Sequence, residues 1–279
     1  MLWGFFKKVL VADSCAYAAN AILGNAHPSS VSLWIGMICF AFQIYGDFSG
    51  YSDIAIGCSK LFGVRLMQNF NKPYFSRDIA EFWRRWHISL TTWFRDYLYI
   101  PLGGSRCGKW KKIRNTFAIF LVSGFWHGAN WTFIVWGVFH AICFMPLFLR
   151  GKNRKYVTGS VAEGKLLPTF HELWAMCLTF IVAVIGWTFF RAPDISTASS
   201  WLWKMLTFAD LSLRQCGIGW AKGAILPLIV LLTVEWMNRR RVIPTMPAKC
   251  ALRWLLYVIM LGFILICKPE PQAFIYFQF

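Results

Sequence analysis

Two long stretches of this chain, residues 14–46 and 115–149, contain no Asp, Glu, Lys or Arg. About 20 predominantly apolar residues cross the ~30 Å hydrocarbon core of a bilayer as a helix. These stretches therefore constrain the fold more than any other feature. His27-Pro28-Ser29-Ser30 interrupts the first and Gly128-Ala129-Asn130 the second, so each reads as two helical arms joined by a short break. Residues 174–190 form another apolar run, just long enough to span. Residues 223–237 and 254–267 are shorter and need their flanks or local thinning of the bilayer. Roughly six hydrophobic segments result, one of them a candidate re-entrant hairpin.

Composition supports this reading. The chain is 57% hydrophobic and only 15% charged, which excludes a disordered chain. Its 16 Trp, 26 Phe and 9 Tyr need an apolar solvent as much as a core. The net charge of +17 fits either a nucleic-acid partner or one face of a membrane protein, and position decides between them. The basic residues fall in connectors. Residues 60–114 carry twelve Lys/Arg against Asp78, Glu81 and Asp96. Residues 150–171 carry five, and residues 238–253 carry five with no acid. If these three connectors share the cytoplasmic face, the positive-inside rule is met. That requires the chain to enter and leave on one side between 115 and 149, as a hairpin turning near Gly128 does. A single long crossing is the alternative. Nucleic-acid modules instead gather their charge on a stripe of a soluble fold, so no nucleic-acid partner is expected.

Lys7, Lys8 and Asp13 lie inside the first 23 residues and argue against a cleaved signal peptide. The nine cysteines form no CxxC-type pair, the nearest two being Cys250 and Cys267, so neither a disulfide framework nor a metal site is expected. No GxSxG elbow, P-loop, HExxH or dinucleotide-binding glycine pattern is present.

Two segments carry chemistry. In the first, from Glu81 to Gly104, Trp83, Trp86 and Trp93 alternate with Arg84, Arg85, Arg95 and Asp96. It reads either as an interfacial anchor with snorkelling arginines or as a donor pocket. In the pocket reading Arg84 meets phosphate, and Trp86 an adenine or pantetheine arm. The second is Ser123-Gly-Phe-Trp-His127-Gly-Ala-Asn-Trp131. An ionisable residue deep in an apolar run is a functional candidate by default. A hydrogen-bonded packing histidine is the plainer alternative. An unperturbed imidazole titrates near neutrality, which suits His127 to general-base work. His140 reads as an interhelical hydrogen-bonding residue. Asp47, flanked by Tyr45, Tyr51 and Asp53, is a second intramembrane candidate, ordinarily explained as an ion-pair partner of an arginine.

At these residues the sequence resembles the membrane-bound O-acyltransferases. The resemblance is to the bacterial branch that contains alginate O-acetyltransferase, peptidoglycan O-acetyltransferase and the teichoic acid D-alanyl transfer protein. The matching stretches are Trp3-Gly-Phe-Phe-Lys-Lys-Val-Leu-Val-Ala-Asp13, Tyr45-Gly-Asp-Phe-Ser-Gly-Tyr-Ser-Asp53, Asn69-Phe-Asn-Lys-Pro-Tyr74, residues 82–104, residues 123–131 and Phe274-Ile-Tyr-Phe-Gln-Phe279. The resemblance implies an all-α polytopic membrane protein, a ring of helices with re-entrant and interfacial pieces around a central tunnel. The family's near-invariant histidine matches His127 and its second polar position matches His87. Trp86, Arg84, Trp126, Asn130 and Asp47 complete the expected set as substrate contacts, with no metal.

The implied reaction moves an acyl group, acetyl by resemblance, from a cytoplasmic activated donor to a hydroxyl. The donor is acetyl-CoA or an acyl carrier, used as co-substrate, with no bound cofactor. The acceptor is an exported polysaccharide or an extracytoplasmic acyl carrier, with an acyltransferase partner protein outside the bacterial inner membrane. Family members of this branch carry further helices before the Trp-Gly-Phe-Phe-Lys-Lys stretch. The chain is accordingly expected to be a single domain over 1–279, the C-terminal part of such an enzyme. A non-catalytic fragment or split subunit, and a transporter with broken helices, are the rival readings.

Overall fold

The computed structural model describes residues 1–212, 217–241, 244, 247–266 and 269–275. Cys216, Cys267 and residues 276–279 of the terminal aromatic stretch lie outside them. Every regular element among the described residues is helical. In chain order these are α1 (Leu2–Phe5), a π-helical stretch (Phe6–Ala12), α2 (Asp13–Leu23), α3 (Ser30–Leu61), a 3-10 turn (Pro73–Phe75), α4 (Ile79–Arg85) and α5 (Ile88–Phe94). A second π-helical stretch (Arg95–Tyr99), α6 (Lys109–His127), α7 (Trp131–Leu149), α8 (Phe170–Arg191), α9 (Ile195–Thr207), α10 (Ile218–Met237) and α11 (Cys250–Ile266) complete the order. Helices α3, α7, α8 and α10 are long and apolar enough to cross a membrane. This is the all-α, multi-pass membrane protein that the uncharged stretches predict.

The interruptions fall where the sequence places them, but two helices outrun their apolar segments. Chain break and cap coincide at Ser29, whose hydroxyl accepts the Ser32 amide at 3.2 Å. Helix α3 then continues past Gly46 to Leu61, because the carboxylates beyond that point have partners and do not end it. Its 32 residues measure about 48 Å at ~1.5 Å per residue, longer than a bilayer core. Helix α6 likewise begins at Lys109 rather than near Thr116. Lys and Arg are good helix formers, so the basic connector supplies two extra turns.

The chain forms two compact units, Met1–Gln68 with Trp201–Phe279, and Asn69–Ser200. In the first, the N-terminal helical stretch lies backbone to backbone on α3. A Cβ on Gly4 would sit 2.5 Å from the Gly50 carbonyl oxygen, and one on Gly50 2.7 Å from that of Gly4. This approach buries Lys7 and half-buries Lys8, and an ammonium taken out of water needs anionic partners. Lys7 Nζ lies 3.0 Å from Asp53 and 3.4 Å from Glu235, while the Tyr45 hydroxyl donates to Glu235 at 2.6 Å. Lys8 Nζ lies 2.7 Å from both Asp13 and Asp47. The partner of Asp47 is therefore a lysine, not the arginine expected from sequence. Its other oxygen accepts the Ile275 amide at 3.0 Å, which fixes the terminal segment. Cys15 and Cys39, both free thiols and buried, also lie close together between α2 and α3.

The second unit is organised by the α6–α7 hairpin, which turns over residues 128–130. Gly124 faces the Phe133 carbonyl and Gly137 the Phe120 carbonyl, each so closely that a Cβ would overlap the oxygen. The arms thus run antiparallel in backbone contact, and the basic connectors at their outer ends emerge together. Gly137→Val is expected to force the arms apart and cost about 1–3 kcal/mol, as overpacking does. The thermal midpoint in detergent should fall. Gly223→Ala, where a Cβ meets nothing within 4 Å, should leave it unchanged or slightly raised.

Candidate active site

The site in the second unit is assembled around a buried carboxylate. Asp78 caps α4, its side chain accepting the Glu81 amide at 2.7 Å. This places Glu81, 1% exposed, in the protein interior. Arg77 donates to it from its backbone amide (2.8 Å) and twice from its guanidinium (3.1 and 3.0 Å). Arg85 adds a fourth bond at 2.7 Å and spends a further N–H on the Asn71 carbonyl at 3.2 Å. The outer face of Arg77 lies 4.0 Å from the Tyr156 ring centre and 3.6 Å from Glu172 on α8.

Between α4 and α5 the chain turns sharply, and His87 sits on the turn at φ +41, a backbone conformation uncommon outside glycine. The segment after α3 holds it there. Asn71 N donates to Arg85 O and Ile88 N to Asn69 O, both at 2.9 Å. The Asn69 side chain accepts from the Ser89 amide (3.1 Å) and hydroxyl (2.5 Å), and Ser89 Oγ in turn lies 3.4 Å from His87 Nδ1. The Asn69–Tyr74 motif thus acts as a strap across the histidine turn. His87 lies outside the four candidate spans, and burial lowers its imidazole to about 4.

His127 ends α6, where Gly128 at φ +154 leaves helical geometry. Its ring is packed by Trp126 (5.0 Å between centroids), Trp136 (5.2 Å), Phe190 (4.9 Å) and Phe133 (6.3 Å). Trp126, half exposed, is edge-on to His127 and, at 6.3 Å, to His87. Two histidines 40 positions apart in sequence thereby share one tryptophan neighbour.

Beside this core lies a cavity of about 910 Å³. Its wall contains Arg84, Arg85, Arg95, Lys109, Lys112 and Arg154, together with Trp83, Tyr99, Phe120, Phe144, Phe148 and Tyr156, and no carboxylate. Arg85 is engaged by Glu81, and Arg84 donates to the carbonyls of Asn153 (2.7 Å) and Tyr156 (3.2 Å). Arg84 therefore closes the loop that roofs the cavity as well as lining it.

The other expected contacts are distributed differently. Trp86, 4% exposed, is packed among Phe70, Tyr74, Phe82 and Trp187 and is not part of the cavity wall. Asn130 caps α7, accepting from Thr132 N at 3.0 Å and donating to Pro193 O at 3.0 Å. Asp47 belongs to the first unit, in the Lys8 network described above. The segment from Glu81 to Gly104 divides. Its first half builds core and cavity; in its second half Trp93 is exposed, Arg95 pairs with Asp96 at the surface, and Arg95 and Tyr99 also line the cavity. His140 has no hydrogen bond on either ring nitrogen among the described residues, contrary to the interhelical bonding expected of it. It packs instead between Trp83 and Trp136. Sequence reading missed Glu235, although a lone acid in an apolar run is a detectable signal. It also missed Lys109 and Lys112, which only the fold brings to the wall.

Two predictions follow from this geometry. Glu81→Ala leaves the Arg85 guanidinium without its carboxylate and Arg77 with Glu172 alone at 3.6 Å, and should cost about 3–5 kcal/mol, read as a lower thermal midpoint with loss of activity. His87 gains a proton in the unfolded chain as pH falls through 6.5, but in the fold stays neutral down to about 4. The unfolded state binds more protons across that window, so stability should fall as pH drops through it. The thermal midpoint measured at pH 7.5 and 5 should show a smaller drop for His87→Gln than for wild type. Equal drops would refute the assignment.

Comparison with known proteins identifies the setting of this site. Residues 22–186 match the family described as MBOAT, membrane-bound O-acyltransferase. The chain is 43% identical over 212 residues to the probable alginate O-acetylase AlgI of Pseudomonas syringae pv. tomato, covering 76% of this chain and 39% of that protein. It is 41% identical over 211 residues to the peptidoglycan O-acetyltransferase of Helicobacter pylori, covering 75% and 38%. With the teichoic acid D-alanyltransferase of Bacillus subtilis the identity is 33% over 187 residues, covering 63% and 43%. The chain thus spans about two fifths of the length of these relatives. The family match extends over more than half of the chain and includes both histidines: this protein belongs to the membrane-bound O-acyltransferase family.

Proposed function

We propose that this protein transfers an acyl group, acetyl in its main reaction, from a cytoplasmic thioester to a hydroxyl on an exported polysaccharide or on an extracytoplasmic acyl carrier. The observation that carries the reading is the cationic, aromatic-lined cavity whose Trp83 wall leads through Trp136 to His127. Phosphates of coenzyme A, or of the pantetheine arm of a carrier, match a cationic wall that itself contains no carboxylate. The aromatic rings suit the uncharged arm. His127 takes the proton of the acceptor hydroxyl as that oxygen bonds to the acyl carbon. The carbon–sulfur bond then breaks, and the thiolate leaves and takes up a proton to become the free thiol. His87, held neutral on its strapped turn, hydrogen-bonds the donor or steadies developing charge.

The whole chain, 1–279, acts in this reading as one acyltransferase domain in the bacterial inner membrane, with the basic connectors facing the cytoplasm. The names of the relatives refer to alginate, peptidoglycan and teichoic acid, which supports a cell-envelope polymer as acceptor; a partner protein outside the membrane is part of the same proposal. General-base assistance is typically worth ~10²–10⁴ in rate. In vesicles containing the protein, labelled acetyl-CoA and polysaccharide, His127→Ala should therefore lower transfer by about that factor at equal abundance. Undiminished transfer by the variant would overturn the assignment.

A further inference from the structure

His140 is fully buried on α7, its ring 4.9 Å from that of Trp83 and 5.1 Å from that of Trp136. Glycine at 186 on α8 makes room for it, since a Cβ there would sit 2.5 Å from His140 Nε2. Among the described residues neither ring nitrogen has a hydrogen-bond partner, and the indole nitrogens of Trp83, Trp136 and Trp187 have none either. The Trp187 ring lies 6.1 Å from that of Trp136, so these five nitrogens belong to one cluster of touching rings. Each buried polar group without a partner costs about 1–3 kcal/mol, and native interiors hold few of them. Elsewhere in the chain a tryptophan finds a partner, Trp34 donating to Met205 O at 2.9 Å. The concentration here therefore points to a guest.

Position and chemistry define that guest. Trp83 is shared with the cationic cavity, and Trp136 is edge-on to His127, so the cluster stands between the two. It offers three indole N–H groups, an imidazole N–H and a single acceptor nitrogen. No cation is in the cluster, so a phosphate fits poorly, whereas a neutral oxygen with two lone pairs fits well. Trp187 and Phe190 pack against Trp136 and make that side of the cluster apolar.

We infer that the His140–tryptophan cluster binds the carbonyl oxygen of the donor's short acyl thioester and presents its carbon to the hydroxyl activated by His127. This rests on the acyltransferase reading above. Infrared difference spectra of acetyl-CoA bound to the full chain, with and without ¹³C at the carbonyl, test it. Wild type should shift the thioester carbonyl band to lower frequency. His140→Phe, which keeps a ring of similar size, should abolish the shift and lower kcat about 10²–10³-fold. His140→Gln, which restores an N–H, should recover part of both. A purely packing role would give the reverse order, with Phe active and Gln impaired. If His140→Phe fails to accumulate, Trp136→Phe deletes one indole N–H while keeping an aromatic ring, and should also reduce the shift. Wild-type kcat and carbonyl frequency in these variants would overturn this inference alone. A wild-type protein that binds no thioester would overturn both readings.

Discussion

The clasp on Glu81 organises the strap that holds the His87 turn and the loop that roofs the cavity in the second unit. One carboxylate, 1% exposed, accepts four hydrogen bonds from Arg77 and Arg85. Each arginine then reaches onward. Arg85 holds the Asn71 carbonyl, and so the strap that fixes the His87 turn. Arg77 approaches Glu172 on α8 and lies on Tyr156 in the loop that roofs the cavity. A buried carboxylate is costly unless its bonds are satisfied, so these contacts form together. The clasp is a device for geometric specificity more than for net stability: apolar side chains would fill the space as cheaply but could not aim four segments at once.

The same economy governs the first unit, where Lys7 and Lys8 are met by Asp13, Asp47, Asp53 and Glu235. Close backbone approach at Gly4 and Gly50 brings the π-helical stretch within reach of α3, and the charges then lock the register. Dispersion and hydrophobic burial are non-directional between apolar helices, so register has to come from small residues and paired polar groups. The hairpin uses only the first device, at Gly124 and Gly137, and the Lys7–Lys8 network uses both.

Polarity in the second unit is graded. Cations line the cavity, uncharged donors on His140 and the tryptophans follow, and the packed imidazole of His127 comes last. A phosphorylated thioester has the same order of groups from end to end. Aromatic rings form the walls at each stage because they exclude water without removing hydrogen-bonding capacity, their N–H edges remaining available.

Much of this was written in local sequence. Uncharged runs gave the spans, Pro28-Ser29 and Gly128 gave the breaks, and the Trp/Arg alternation and the His127 block marked the site. These signals are readable because helix formation, capping and membrane partition depend on residues a few positions apart. The sequence could not say that Trp86 is core while Trp83 is cavity wall, because both fit the same amphipathic pattern until α4 ends at Arg85, between them. Nor could it pair Asp47 with Lys8 or Glu235 with Lys7, since charge partners far apart in sequence are chosen by distance in space. His140 is the clearest case. By itself it is one histidine in an apolar helix, and its meaning comes from Trp136 one turn earlier on the same helix and from Trp83 and Gly186, which two other stretches of chain bring to it. The sequence alone determined a multi-pass helical membrane protein with a histidine at a helix break. Tertiary structure decided which polar groups find partners and which, among the described residues, do not, because burial and partnership belong to the packed chain.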